Sequence, residues 1–442
     1  MIAPYLKKTI LFFLLLMAGW KNIYPRHKEQ VLQQLNKLLV HTVMDDLFTP
    51  PVASRIYVYP NIAFYECIRF DDPSFLSLSG KLNGLVALPG PQKNIDNFIS
   101  ASIAFSFVAQ NLVASEYKFE EWRKAFTDSI RSVSDTSILN SSFQYGKKIA
   151  ESIIRWIQMD NYMISRGMMR YVISDSPGAW QPTPLDYASG MEPNWNTLRP
   201  LVLKSCSQFS PQKKLVYSSS KQSAFYKNVL EVYKISKNLD SNRAYIALYW
   251  DDNPNISLLK GHLNYFVHKV SPGGHWLMIA GQACLQKNIS VNKASLAYTL
   301  TAIAIFDGFI SCWDEKYKTN LVRPITFINR HIDEKWEPLI QTPPFPEFTS
   351  GHAVISNAAA TVLTAILGKN FEFTDNTEIP FGLKPRHFKS FYQAAAESTM
   401  SRVYAGIHYP ETARISTQQG QAIGKFVINT LYKIPLIKSP SQ

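Results

Sequence analysis

The feature that most constrains the fold is an apolar run from Ala353 to Leu367 that begins directly after Ser350-Gly351-His352. Val354, Ile355, Ala358, Val362 and Ile366 recur at helical spacing, which predicts a helix that buries this side. The first N–H groups of a helix have no partner within it, and that end carries the positive pole of the peptide dipole. An oxyanion is the natural ligand for such a start. Gly351 lets the backbone approach the ligand closely. Ser-Gly before a helix is by itself an ordinary cap, so the reading depends on what else the chain brings to this point.

Three further cations and a histidine flank the run: Lys316 and Arg323-Pro324 before it, Ser401-Arg402 and His408 after it. Lys316 and Arg323 stand seven residues apart, close to two helical turns, so one helix would point both into the same pocket. Arg402 offers a fork of donors matched to tetrahedral oxygens. His408 offers a nitrogen able to bond a central atom directly. Taken singly, each is commonplace as solvated charge or a structural side chain. Their order and spacing describe an oxyanion site.

The pattern Lys-x6-Arg-Pro, Ser-Gly-His, Ser-Arg-x5-His resembles the signature of the superfamily of type 2 phosphatidic acid phosphatases and vanadium-dependent haloperoxidases. The segment TPPFPEFTSGHA, residues 342–353, is similar to soluble haloperoxidases, with Phe345 five residues before Ser350. Trp313, three residues before Lys316, matches the chloroperoxidase-like pattern, in which these two aromatics flank the halide pocket. Bromoperoxidases tend to carry histidine where this chain has Phe345. GAWQPTP at 178–184, YWDDNP at 249–254 and PGGHW at 272–276 resemble the bacterial haloperoxidase-like branch, so the likeness runs from about residue 28 onward.

The resemblance implies an all-α helical bundle with an N-terminal helical extension. It implies vanadate as cofactor, with hydrogen peroxide, halide and a small organic acceptor as reactants and hypohalous acid as product. His408 would be the axial vanadium ligand. Lys316, Arg323, Ser350, Gly351 and Arg402 would hold the oxyanion's oxygens, His352 would serve as acid–base group, and Lys316 would also polarise the peroxide. The signature leaves a phosphatase open, with His408 as nucleophile on phosphorus and His352 protonating the leaving alcohol. Trp313, Phe345 and the upstream likeness favour the peroxidase. Two departures stand out: Thr349 replaces a proline of the best-known members, and Thr412, beside Glu411, replaces a carboxylate found in some relatives. Asp251, Asp252 and Glu411 are the candidates for a carboxylate that orients His408 or Arg402.

The rest of the chain reads as mostly helical. Val31, Leu32, Leu35, Leu38, Leu39 and Val43 recur at helical spacing, as do apolar residues in 97–113, 145–158, 222–236, 294–312, 386–404 and 414–432. Residues 172–220, rich in Pro, Ser and Gly, predict an irregular segment over the helices. Lys7 and Lys8 ahead of the apolar stretch Ile10 to Trp20 make residues 1–22 a signal peptide or a retained N-terminal anchor, which places the protein in the periplasm or outside the cell. No other stretch reads as a membrane span, against the multi-span lipid phosphatases. Residues 23–442 form one all-α domain on this reading, with its active-site half at about 290–435. The formal charge of +13, or +11 without the two leader lysines, suits small anions. No basic repeat, zinc pattern or aromatic ribonucleoprotein motif points to nucleic acid. Cys67, Cys206, Cys284 and Cys312 lack metal spacing, and the sequence assigns no disulfide.

Overall fold

The computed structural model describes residues 27–432 apart from 133, 255, 261, 262 and 268, so the expectations for residues 1–22 lie outside the described residues. Fourteen α-helices and two short antiparallel hairpins occur among them. The first six helices are α1 (Lys28–Asp45), α2 (Pro50–Ile68), α3 (Asn97–Leu112), α4 (Tyr117–Arg131), α5 (Thr136–Ile157) and α6 (Tyr162–Gly167). After the segment 172–220 follow α7 (Ala224–Lys237), α8 (Ser241–Tyr249) and the hairpin β1 (Ile256–Lys260) with β2 (Leu263–Val267). Then come α9 (Pro272–Gln286), α10 (Val291–Thr319), α11 (Pro324–His331) and α12 (Gly351–Leu367). The hairpin β3 (Phe373–Asp375) with β4 (Arg386–Phe388), α13 (Phe391–Tyr404) and α14 (Pro410–Leu431) complete the chain.

Local chemistry sets many of the boundaries. Asp96 caps α3 by accepting from the N–H groups of Phe98 and Ile99, and Asp135 caps α5 in the same way, each worth about 1 kcal/mol. The Asp135 cap starts α5 at Thr136, ahead of the expected 145. The pattern at 386–404 divides, because Arg386–Phe388 pairs as β4 and Ser390 then caps α13 by accepting from Gln393 N–H. Helix α2 is buried all round and contains Pro60, so it lacks the one-sided apolar stripe that reveals a surface helix. Helix α10 is long and apolar enough to cross a membrane, contrary to the expectation that nothing beyond the leader would be; it is buried throughout its apolar window.

Helix α12 packs against α10, α13 and α14. Gly420 and Gly424 of α14 permit a close approach: a Cβ on Gly424 would lie 2.7 Å from the Ala358 carbonyl oxygen, and one on Gly420 would collide with that of Val354. One hydrophobic cluster extends from Val31 to Leu431, and a second joins α7 and α11 to Phe348 and Tyr409. Segment 172–220 contributes one 3-10 turn, Trp195–Thr197. It is tied to α10 where the N–H groups of Leu201, Val202 and Leu203 donate to the Asp307 carboxylate at 2.7, 2.8 and 3.0 Å. Trp180, Trp195 and Trp276 are core side chains, and the four cysteines are unpaired.

Candidate active site

The cations converge from different elements rather than along one helix. Trp313 and Lys316 occupy the last turns of α10, which Asn320 ends in the left-handed conformation at φ 48°. Arg323 is then the residue preceding α11, with Pro324 at the helix start. The two-turn argument therefore fails, and the segment 345–347 provides the convergence instead. Lys316 Nζ donates to the carbonyls of Pro346 at 2.9 Å and Glu347 at 3.3 Å. Arg323 Nε donates to Phe345 O at 2.9 Å, and its Nη1 donates to Ile407 O at 2.8 Å. Ser350 precedes α12, yet its hydroxyl makes no cap bond, while its N–H donates to Ser416 Oγ at 2.9 Å. Arg402, on α13, donates from Nη1 to Trp250 O at 2.7 Å. His408 lies in the turn after α13, where Gly406 takes φ 81° against Trp336.

The carboxylate behind His408 is Glu347, which none of the sequence candidates anticipated. His408 Nδ1 is 2.8 Å from Glu347 Oε1, which also accepts the Tyr409 N–H at 3.0 Å, and Glu347 Oε2 accepts the Thr412 hydroxyl at 2.9 Å. Burial, followed by Arg323 and Lys316, holds the His408 pKa well below the ordinary histidine value. A neutral ring that donates from Nδ1 to Glu347 keeps a lone pair on Nε2, as a metal ligand requires. Of the proposed carboxylates, Glu411 pairs with Arg414 and Lys213 on the outside, and Asp251 pairs with Lys269 at 3.0 Å. Asp252 faces another histidine: its Oδ2 is 3.6 Å from His352 Nε2. Glu347 lies inside the segment 342–353 that carries the likeness, three residues before Ser350, but no spacing rule links an acidic residue there to His408.

Desolvation governs the electrostatics. Lys316, Arg323, Ser350 and Arg402 are at most 1% exposed. Burial lowers Lys316 to about 7 and Arg323 to about 10, and raises Glu347 to about 7. Lys316 and Arg323 lie beside Glu347, and Arg402 lies near Asp251 and Asp252, in a low-dielectric setting that strengthens their attraction for an anion. Arg323 Nη2, Arg402 Nε, Ser350 Oγ and His352 Nε2 are buried and have no hydrogen-bond partner among the described residues. An unmet buried donor costs about 1–3 kcal/mol, and Arg323 Nη2, Arg402 Nε and the Ser350 hydroxyl in one cluster fit a tetrahedral oxyanion.

A pocket of about 40 Å³ opens onto this cluster, lined among others by Trp313, Phe345, Gly351, His352, Arg402 and His408. The Trp313 and Phe345 rings lie 5.0 Å apart, and Lys316 Nζ sits 4.7 Å from the Phe345 centroid. Burial, then Arg402 and His275, keeps His352 well below the ordinary histidine pKa. Every residue singled out from the sequence as catalytic, oxyanion-binding or pocket-lining is therefore in this one region.

A family model described as the VCPO second helical-bundle domain matches residues 296–434. A solved bacterial vanadium-dependent iodoperoxidase shares 42% sequence identity with the chain at a TM-score of 0.87, covering 91% of this chain and 97% of that one. Holo and apo structures of a bacterial vanadium-dependent chloroperoxidase share 16% and 15% identity at TM-scores of 0.66 and 0.63. They cover 87% of this chain and 93% and 94% of theirs, and are alike in fold. No curated protein matches the chain.

Proposed function

The chain belongs to the vanadium-dependent haloperoxidases, and we propose that it binds vanadate and uses hydrogen peroxide to oxidise halide to hypohalous acid. The observation that carries this reading is His408, neutral and bonded through Nδ1 to Glu347, with its Nε2 lone pair facing Arg323 Nη1 at 3.3 Å in a cluster of buried donors that have no partner among the described residues. His408 Nε2 would hold the vanadium. Arg323 Nη2, Arg402 Nε, the Ser350 hydroxyl and the Gly351 N–H would hold the oxyanion's oxygens. Bound vanadate supplies a Lewis-acidic centre that activates peroxide toward halide. Lys316 adds positive charge where the reacting oxygen becomes more negative. His352 Nε2, at the pocket and 3.6 Å from Asp252 Oδ2, would hold and transfer the proton. The net reaction, halide plus hydrogen peroxide plus one proton giving hypohalous acid and water, requires such a group.

The aromatic wall of Trp313 and Phe345 leaves space for peroxide and a monatomic anion, with a small organic acceptor meeting the product at the mouth. The same narrow pocket disfavours the phosphatase reading for lipid substrates. Iodide is the halide favoured by the likeness to the iodoperoxidase. Protein reconstituted with vanadate should oxidise iodide in the presence of peroxide. Loss of that activity on omission of vanadate supports the reading, and halide oxidation at no vanadate concentration contradicts it. Residues 23–442 act as one unit on this proposal, supported by the cluster running from Val31 to Leu431. Lys7, Lys8 and Ile10 to Trp20 support export to the periplasm or beyond.

A further inference from the structure

His275 and Asp375, which this chemistry leaves unused, join the pocket-lining Asp252 in a buried charge cluster. His275, on α9, is fully buried. Its Nδ1 is 2.8 Å from Asp252 Oδ1 and its Nε2 is 2.7 Å from Asp375 Oδ2. An imidazole satisfies two carboxylates at once only when both nitrogens carry protons. Burial favours the neutral ring, but Asp252 and Asp375 outweigh it and hold the pKa well above the ordinary value. Trp250 stacks on the ring at 4.6 Å between centroids. Asp375 is itself fixed through Oδ1 by the Thr377 N–H at 3.0 Å and hydroxyl at 2.6 Å.

Asp252 is the link to the active site. Its backbone takes φ 38°, in the left-handed region, at a cost that something nearby must offset. One carboxylate oxygen engages His275 and the other faces His352 at 3.6 Å. We propose that His275 is a positioning residue for halide oxidation: as a fixed cation between Asp252 and Asp375, it holds the strained Asp252 so that its second oxygen faces His352. The activity arm of this inference rests on the haloperoxidase reading; the geometry does not.

The charged groups facing His275 are Asp252, Asp375 and Glu378, with Lys269 paired to Asp251 beyond them. Those acting on His352 are Asp252, Arg402, His275 and Lys316. Asp252, His275 and Glu378 also bring three metal-ligand atoms together. Both ring nitrogens, however, are at hydrogen-bond distance from carboxylates, and a metal on Nδ1 would displace the proton shared with Asp252.

The test uses His275→Gln, which keeps the bulk and removes the charge, and Asp375→Asn, which leaves His275 in place and weakens its hold. In vanadate-free wild type, nitrogen NMR of the histidine rings should show both His275 nitrogens protonated at pH 8. Removing the cation relieves its repulsion of a second positive ring, so the His352 titration should move up in His275→Gln. Asp375→Asn removes a negative charge, keeps the cation and loosens the hold on Asp252, so it should move the His352 titration the opposite way, down. The limb of the pH–rate profile for iodide oxidation that reports His352 should move with it, whereas a merely structural role would lower the rate equally at every pH. A neutral His275 at pH 8, an unmoved His352 in both folded variants, or one tightly bound divalent metal per chain overturns the proposal. The NMR arm decides even if the chain oxidises no halide, because it needs no turnover.

Discussion

Substituting Glu347→Gln should weaken vanadate binding without touching the oxyanion. In the wild type the carboxylate accepts from His408 Nδ1 at 2.8 Å, from Tyr409 N–H at 3.0 Å and from the Thr412 hydroxyl at 2.9 Å. Glutamine can still accept through one oxygen. Its amide nitrogen, a donor, must then meet either Thr412, whose hydroxyl can turn round, or His408. In the first arrangement the ligand nitrogen keeps its lone pair but loses the negative charge that makes it basic. In the second, the proton moves to Nε2 and the ligand is lost. Losing the partner of a metal-ligating histidine costs about 10–100-fold in affinity, or about 1.4–2.8 kcal/mol. Equilibrium dialysis against vanadate would measure this, with a thermal melt to show that the variant is folded. A folded Glu347→Gln protein that holds vanadate within twofold of wild type would refute the reasoning.

Two other outcomes follow from the same site. His408→Ala should abolish tight vanadate binding, while His352→Ala should retain much of it and lose about 10²–10⁴ in the rate of halide oxidation; equal dialysis results for the two would reverse the assignment. Sulfate, whose charge is constant near neutrality, should bind the vanadate-free protein more weakly as pH rises through about 7, because Lys316 loses its proton there and Glu347 gains its negative charge. Isothermal titration from pH 6 to 8.5 would show it, and an affinity that is flat or rises with pH contradicts it.

The convergence of the motif residues was legible because each motif depends on residue type at fixed spacing. Lys316, Arg323, Ser350, Gly351, His352, Arg402 and His408 all reach one cluster, and Trp313 with Phe345 lines its pocket. The partners of these residues were less legible, since second contacts depend on tertiary approach. Glu347 sits in the distinctive segment 342–353, yet it reaches His408 across 61 residues, a meeting that no local spacing reveals. Lys316 and Arg323 met for a reason other than helical periodicity, because Asn320 and Pro324 break the helix between them. Amphipathic helices such as α7 and α14 were readable from their stripes. Helix α2, buried on every side, and α9, which opens with Pro272-Gly273-Gly274, had no stripe to read.

Catalysis should track vanadium held by His408. Vanadate should be titrated into metal-free protein, with bound vanadium measured by elemental analysis and iodide oxidation followed in the same samples. Activity should rise in proportion to bound vanadium and saturate when the His408 site is filled, with His408→Ala inactive across the titration. Full activity in the metal-free protein, or saturation with vanadium without halide oxidation while phosphate esters are rapidly hydrolysed, would contradict it.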